Sequence, residues 1–141
     1  MKFEVEVERH YPHSIREVWD GLTTNAALSD WLLETTNFQP EVGHRFEMTC
    51  LDNDGHLDVY RCQVLDLDPP NRMVWSWVIA GNEDQGLTEV EFRLTALDTG
   101  TRLQLLHRGD RDKAMLDRFK AGWPYKLDQL EEVLGRRQDG S

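Results

Sequence analysis

Trp75 and Trp77 stand two residues apart in Met73-Val74-Trp75-Ser76-Trp77, so in a strand both indoles share one face. His107 stands in the same relation to Leu103 and Leu105, which places its imidazole on an apolar face. Aromatic walls with a few polar groups suit a small apolar ligand. A neutral imidazole among them could hydrogen-bond a ligand carbonyl, or act as acid or base near neutral pH. The competing reading of His107 is a buried structural histidine bonded to a backbone group. Ser76 sits between the indoles, but nothing in the sequence identifies a base for it. Arg61 would enter such a site only if a bulge turned it inward, and an outward arginine is the simpler expectation. Glu89 and Glu91 flank Val90 and are expected to face solvent.

Other chemistry is thinly represented. His10 and His13 span a strand end and Pro12, with no cysteine or third ligand nearby, so no zinc site is expected. Asp52-Asn53-Asp54-Gly55 has a calcium-loop flavour, but Cys50 would stand at the first ligand position and no helices flank it, so it reads as a hairpin turn. There is no Gly-x-Ser-x-Gly, no Walker loop and no dinucleotide fingerprint, and no cofactor is called for.

The elements that must position these side chains follow from period and punctuation. Phe3, Val5 and Val7 alternate with Glu4, Glu6 and Glu8, which predicts a half-buried strand over 2–11, stopped by Pro12. Ser14 and Glu17 form a capping box, and Ile15, Val18, Trp19 and Leu22 share one helical face. Asn25 is placed to cap a second short helix carrying Ala26, Ala27, Leu28 and Trp31. Strands follow: Phe46, Met48 and Cys50 alternate, and 57–67 and 72–79 are paired across Asp68-Pro69-Pro70-Asn71, where proline cannot continue a ladder. Gly81 to Gly86 reads as a polar loop. Val90, Phe92 and Leu94 alternate next, Asp98-Thr99-Gly100 turns, and Leu103, Leu105 and His107 complete an antiparallel meander. Leu116, Phe119, Trp123, Leu127, Leu130 and Leu134 then step by three or four, the face of an amphipathic helix. Pro124 either kinks that helix or starts a second segment, and Gly135 with the polar tail marks its end. A helix packed on a curved sheet places the chain in the α+β class, with 1–135 as one domain and 136–141 as a tail.

The 141 residues suffice for one domain with a real core. Hydrophobic residues at 39% and charged residues at 30% argue for a folded, soluble chain. A net charge of −10 repels phosphate backbones, so no nucleic-acid partner is expected. No apolar run is long enough for a membrane span. The first residues lack a signal-peptide core, which favours the cytoplasm, where Cys50 and Cys62 stay reduced even on neighbouring strands.

Several strings, in order, resemble the START-like (SRPBCC) superfamily, in the branch named after the activator of the heat-shock protein 90 ATPase. They are Val18-Trp19 before Gly21-Leu22-Thr23, the segment Leu28 to Trp31, Pro40-Glu41-Val42-Gly43-His44-Arg45-Phe46, and Val64-Leu65-Asp66-Leu67-Asp68-Pro69-Pro70-Asn71-Arg72-Met73-Val74-Trp75. Gly100-Thr101-Arg102-Leu103-Gln104-Leu105-Leu106-His107 and Gly122-Trp123 complete the set. The resemblance implies a helix-grip fold, a curved antiparallel sheet around a long C-terminal helix, with two short helices after strand one and a cavity between helix and sheet. Relatives in the superfamily use that cavity for lipids, sterols, polyketides or plant hormones. One departure is Arg108-Gly109-Asp110 after His107, where the family often has an apolar residue, so a more polar cavity mouth is expected.

A cavity of this kind would be lined by Phe46, Met48, Trp75, Trp77, Phe92, Leu105, His107, Phe119 and Trp123, with Trp31 near the entrance. Taken singly, each of these residues reads first as core filling, and it is as a set that they suggest a pocket. Three functional readings stand. A ligand-binding module would hold a small apolar or amphipathic molecule. A cyclase- or hydrolase-like enzyme would use His107 with pocket water, though no second titratable group joins it. An interaction protein would stimulate a chaperone ATPase, by analogy of fold alone. A homodimer is compatible with the resemblance, but no exposed apolar stripe demands one.

Overall fold

The computed structural model describes residues 2–51, 54–81 and 87–139. The expected turn at Asp52-Asn53 and most of the loop between Gly81 and Gly86 lie outside the described residues. Strand β1 (Lys2–Tyr11) exposes Glu4, Glu6 and Glu8 and buries Phe3, Val5 and Tyr11. Two short helices follow, α1 (Ile15–Thr23) and α2 (Asn25–Trp31). Then come β2 (Arg45–Leu51), β3 (Leu57–Asp68), β4 (Arg72–Ile79), β5 (Thr88–Leu97) and β6 (Gly100–Asp110), and last the helix α3 (Lys113–Asp139). The six strands form one antiparallel sheet in the order β1-β6-β5-β4-β3-β2, so the first strand is carried across to pair with the last.

Local chemistry accounts for most boundaries. The backbone N–H of Glu17 donates to Ser14 Oγ at 3.1 Å, which caps α1, and the Ser14 hydroxyl donates back to the Glu17 carboxylate at 3.1 Å. Asn25 does not cap α2; Thr24 holds the N-cap position. The Asn25 amide lies in the first turn and clamps Phe38 instead, donating to its carbonyl at 3.1 Å and accepting from its N–H at 2.8 Å. Pro124 lies within α3 without dividing it, and the helix runs past Gly135 to Asp139. Arg136 and Arg137 in its last turn complement the negative end of the helix dipole. The expected tail is therefore partly helical.

Register decides which side chains face inward. Trp75 pairs with Val64 and Val90, and Trp77 with Cys62 and Thr88. A bulge between Val64 and Asp66 adds one residue to β3, leaves Leu65 exposed and restores the inward phase at Leu67. Cys62 lies opposite Phe46 and Cys50 opposite Asp58, so the two thiols are on neighbouring strands yet unbridged. Gly100 has φ of +139°, and a Cβ there would stand 2.1 Å from the Tyr11 carbonyl oxygen; only glycine fits this turn. Inward residues of all six strands meet Val18, Leu22, Leu28, Trp31 and the α3 residues Trp123, Leu127, Leu130 and Leu134 in the main core. Tyr11 extends a buried hydroxyl from β1 to the Leu127 carbonyl at 2.8 Å, pinning α3 to the sheet. Glu91, expected in solvent, is the main surprise of the sheet: it is 1% exposed.

Candidate functional site

Between the first half of α3 and the β2–β3–β4 end of the sheet lies a cavity of about 220 Å³. One face of α3 supplies Met115, Arg118, Phe119, Gly122, Trp123 and Lys126, at helical spacing of three and four. The sheet contributes Cys50, Tyr60, Trp77 and Ile79, and Leu32 and Leu33 close it beyond the end of α2. The helix face would be continuous but for Gly122. A Cβ built on Gly122 meets no atom within 4 Å, so the space opposite this residue is open. Two further depressions, on the outside of β2–β3–β4 and beside the ends of β1 and β6, are more open and more polar.

The polar groups of the cavity are few. Lys126 Nζ donates to the Leu32 carbonyl at 2.7 Å, tying α3 to the residue after α2. Burial raises the pKa of the Tyr60 phenol, while the nearby Arg118 guanidinium pulls it the other way through charge and hydrogen bonding. The Trp77 indole N–H is buried with no acceptor among the described residues, and the Trp75 N–H shares that condition in the core.

His107 stands behind the cavity wall. Trp123 Nε1–H donates to His107 Nδ1 at 2.9 Å. An indole nitrogen only donates, so Nδ1 carries the lone pair and the proton of the neutral ring is on Nε2. That proton goes to Thr88 Oγ1 at 2.8 Å, and the Thr88 hydroxyl donates to the Trp77 carbonyl at 3.0 Å. The ring is fully buried, with the Phe119 ring tilted against it at 35° and a centroid distance of 4.0 Å. Burial holds its pKa down to about 3, so the imidazole is neutral at physiological pH. Gly109 makes this approach possible: a Cβ there would lie 2.6 Å from Thr88 Cγ2. His107 thus fixes the orientation of Trp123 through its ring and the position of β5 against β6 through Thr88.

Among the residues expected to line a pocket, Trp77, Phe119 and Trp123 do so. Met48, Trp75, Phe92 and Leu105 are packed in the core instead, and Phe46, also in the core, borders the more polar depression at β2–β3–β4 and not this cavity. Trp31 is not at an entrance; its indole donates to the Gly21 carbonyl at 2.8 Å inside the core. Its successors Leu32 and Leu33 reach the cavity. Arg61 points outward and pairs with Glu47 at 3.3 Å. Arg108-Gly109-Asp110 does not shape the cavity mouth, since these residues end β6 beside β1 and β5. The charges at the cavity come from α3. Sequence reasoning does not single out Arg118, Gly122 and Lys126 as lining residues, although they share the helix face of Phe119 and Trp123; their spacing is the available signal. Among the described residues no cluster of three or more His, Cys, Asp or Glu side chains could hold a metal ion. No described helix is long and apolar enough to cross a membrane, which says nothing of β-barrels.

This architecture has many counterparts. Residues 12–135 match the family described as "Activator of Hsp90 ATPase homolog 1-like protein". The chain belongs to this family. Protein MLL2253 from Mesorhizobium loti is similar at 31% identity, with a TM-score of 0.85 over 95% of this chain and 98% of that one. CalU16 from Micromonospora echinospora is similar at 26% identity and a TM-score of 0.75, over 96% of this chain and 78% of that one. CV1439 from Chromobacterium violaceum shares the fold at 20% identity, with a TM-score of 0.85 over 93% and 96% of the two chains. No curated protein matches the chain.

On this family fold the outer face of the sheet carries its own charged cluster, remote from the cavity. The buried Glu91 carboxylate accepts from Arg72 Nε at 2.8 Å, Arg93 Nε at 2.5 Å and an Arg108 guanidinium nitrogen at 2.8 Å. Burial alone would raise its pKa; the three arginines outweigh that and bring it down to about 2. Asp66 and Glu89 neutralise Arg72 and Arg108 from the other side, so the cluster is closed on itself.

Proposed function

We propose that this protein is a ligand-binding module that holds a small, largely apolar molecule between α3 and the sheet. The open space opposite Gly122, walled by Trp77, Phe119 and Trp123, carries this reading. An engineered apolar cavity of about 150 Å³ holds benzene, so 220 Å³ accommodates roughly nine non-hydrogen atoms in proportion. Catalysis through His107 is the weaker reading. Both ring nitrogens are already engaged and the ring is suppressed as a base. The free thiols of Cys50 and Cys62 suit the reducing cytoplasm.

Native mass spectrometry of freshly purified protein, followed by denaturing analysis, tests the proposal. The expected result is a stoichiometric extra mass that vanishes on denaturation and is absent from the Gly122→Leu variant, whose side chain fills the space. An adduct retained undiminished by Gly122→Leu would place the ligand elsewhere. A bare wild-type chain whose melting temperature is unmoved by a panel of small aromatic and aliphatic compounds would count against a ligand cavity altogether.

A further inference from the structure

The charged side chains that line the cavity are both cations, Arg118 and Lys126. Among the described residues neither forms an ion pair, in a chain with 26 acidic against 16 basic residues. On the outer face of the sheet, by contrast, Arg72, Arg93 and Arg108 are matched by the Glu91 carboxylate. The two unmatched cations stand eight residues apart on α3, about 12 Å along the helix axis, with Gly122 midway. Arg118 is exposed and Lys126 half-buried, so their charges lie toward the opening while the indoles lie within. The Tyr60 hydroxyl is beside Arg118 and offers a further donor. Lys126 spends one of its three donors on the Leu32 carbonyl and keeps two.

We infer that the ligand is a small amphipathic carboxylate, its anionic head at Arg118 and Tyr60 near the opening and its apolar part against Trp77 and Trp123. The inference rests on the reading of the cavity as a ligand site and adds the charge of the occupant. A guanidinium binds a carboxylate with two parallel N–H···O bonds, and Lys126 raises the positive potential at the same opening. With an apolar interior, the size favours a medium-length chain or a single ring over a sterol or a long-chain lipid. Nearby solvent moderates the gain from the head group, which is therefore modest and sensitive to salt.

Octanoate and octanol test the inference, since they share a chain and differ in charge. Tryptophan fluorescence, with Trp77 and Trp123 as reporters, and calorimetric titration would measure both on wild type, Arg118→Gln and Gly122→Leu. Wild type is expected to prefer octanoate by roughly three- to tenfold. The preference should shrink as salt rises and vanish in Arg118→Gln, chiefly through a loss of octanoate affinity. Both probes should be lost in Gly122→Leu. Equal affinities in wild type, with both lost in Gly122→Leu, would overturn the anionic ligand and leave the cavity reading standing. A preference that survives Arg118→Gln would overturn the role of that residue. Failure of both probes to bind in the millimolar range, or binding undiminished by Gly122→Leu, would overturn the cavity reading and this inference with it.

Discussion

Acidification from pH 6.5 to 5 should weaken the fold through His107, by an amount the structure sets. In the folded chain the imidazole is neutral, with Nδ1 accepting from Trp123 and Nε2 donating to Thr88. Protonating Nδ1 would set two donors against each other in a fully buried place. Its pKa is accordingly about 3 when folded, against an ordinary histidine value of 6.5. A depressed histidine means that the unfolded chain takes up the proton first. The contribution is therefore complete above about pH 6.5 and is lost progressively down to about pH 3. The slope is about 0.7 kcal/mol per pH unit at 6.5 and approaches about 1.4 below it, so the interval from 6.5 to 5 costs about 1.6 kcal/mol. The Glu91 carboxylate begins to matter only at lower pH, below its ordinary value of 4.5. Urea denaturation at several pH values, on wild type and His107→Gln, would read the difference in slope. The glutamine amide keeps an acceptor and a donor but cannot titrate. Independently, imidazole nitrogen chemical shifts at pH 5 should report a neutral ring protonated at Nε2. Parallel pH slopes for the two proteins, or an imidazolium signal at pH 5 in the folded state, would refute the reasoning.

Two further outcomes follow from the same geometry. Gly122→Ala should stabilise the protein by about 0.5–1 kcal/mol, because the added methyl enters open space within a helix interior. Thermal melting would show it, and a lower melting temperature would mean that the space is not open. Glu91→Gln should destabilise by about 3 kcal/mol in urea titrations, since three arginines lose their shared counter-charge at a buried position. The wild-type carboxylate has a depressed pKa, so its contribution holds above about pH 4.5 and is lost as pH falls toward 2. The variant should lack that acid limb, and a loss below 1 kcal/mol would show that the arginines are held by other means.

Period-two alternation placed the strands and period-three-to-four stepping placed α3, because these patterns reflect which face is buried. Residues 57–67 and 72–79 lie within one residue of the observed strands β3 and β4. Parity reports a face but not what covers it. Glu91 does face away from the core side, as its neighbours Val90 and Phe92 require. It is buried all the same, because Arg72 and Arg108 reach over it from the strands on either side, and Arg93 lies two residues along its own strand. Asn25 shows the same limit at a turn. Its side chain suits an N-cap, but a partner thirteen residues on, Phe38, competes for it and wins with two hydrogen bonds. Neither outcome is visible without the register that brings distant residues together.

The candidate site was half legible for a related reason. All of the inward aromatic residues satisfy the pattern for a pocket wall, and the pattern cannot separate a wall from a filled core. What separates them here is a missing side chain. The α3 face carries Leu127, Leu130 and Leu134 in its second half, where helix and sheet are in full contact. In its first half the same face carries Gly122 between Phe119 and Trp123, bordered by Arg118 and Lys126. Glycine in a helix interior costs about 1 kcal/mol relative to alanine. Gly21 has a packing reason, since a Cβ there would press on Leu130 and Leu134 at 3.2 and 3.3 Å. Gly122 has none, for the Cβ of an alanine would meet no atom within 4 Å. Gly135, further along α3, is equally open, so emptiness alone does not mark a site. Gly122 differs in lying at the cavity with Phe119, Trp123 and Lys126, where the space it leaves is continuous with room for a second molecule.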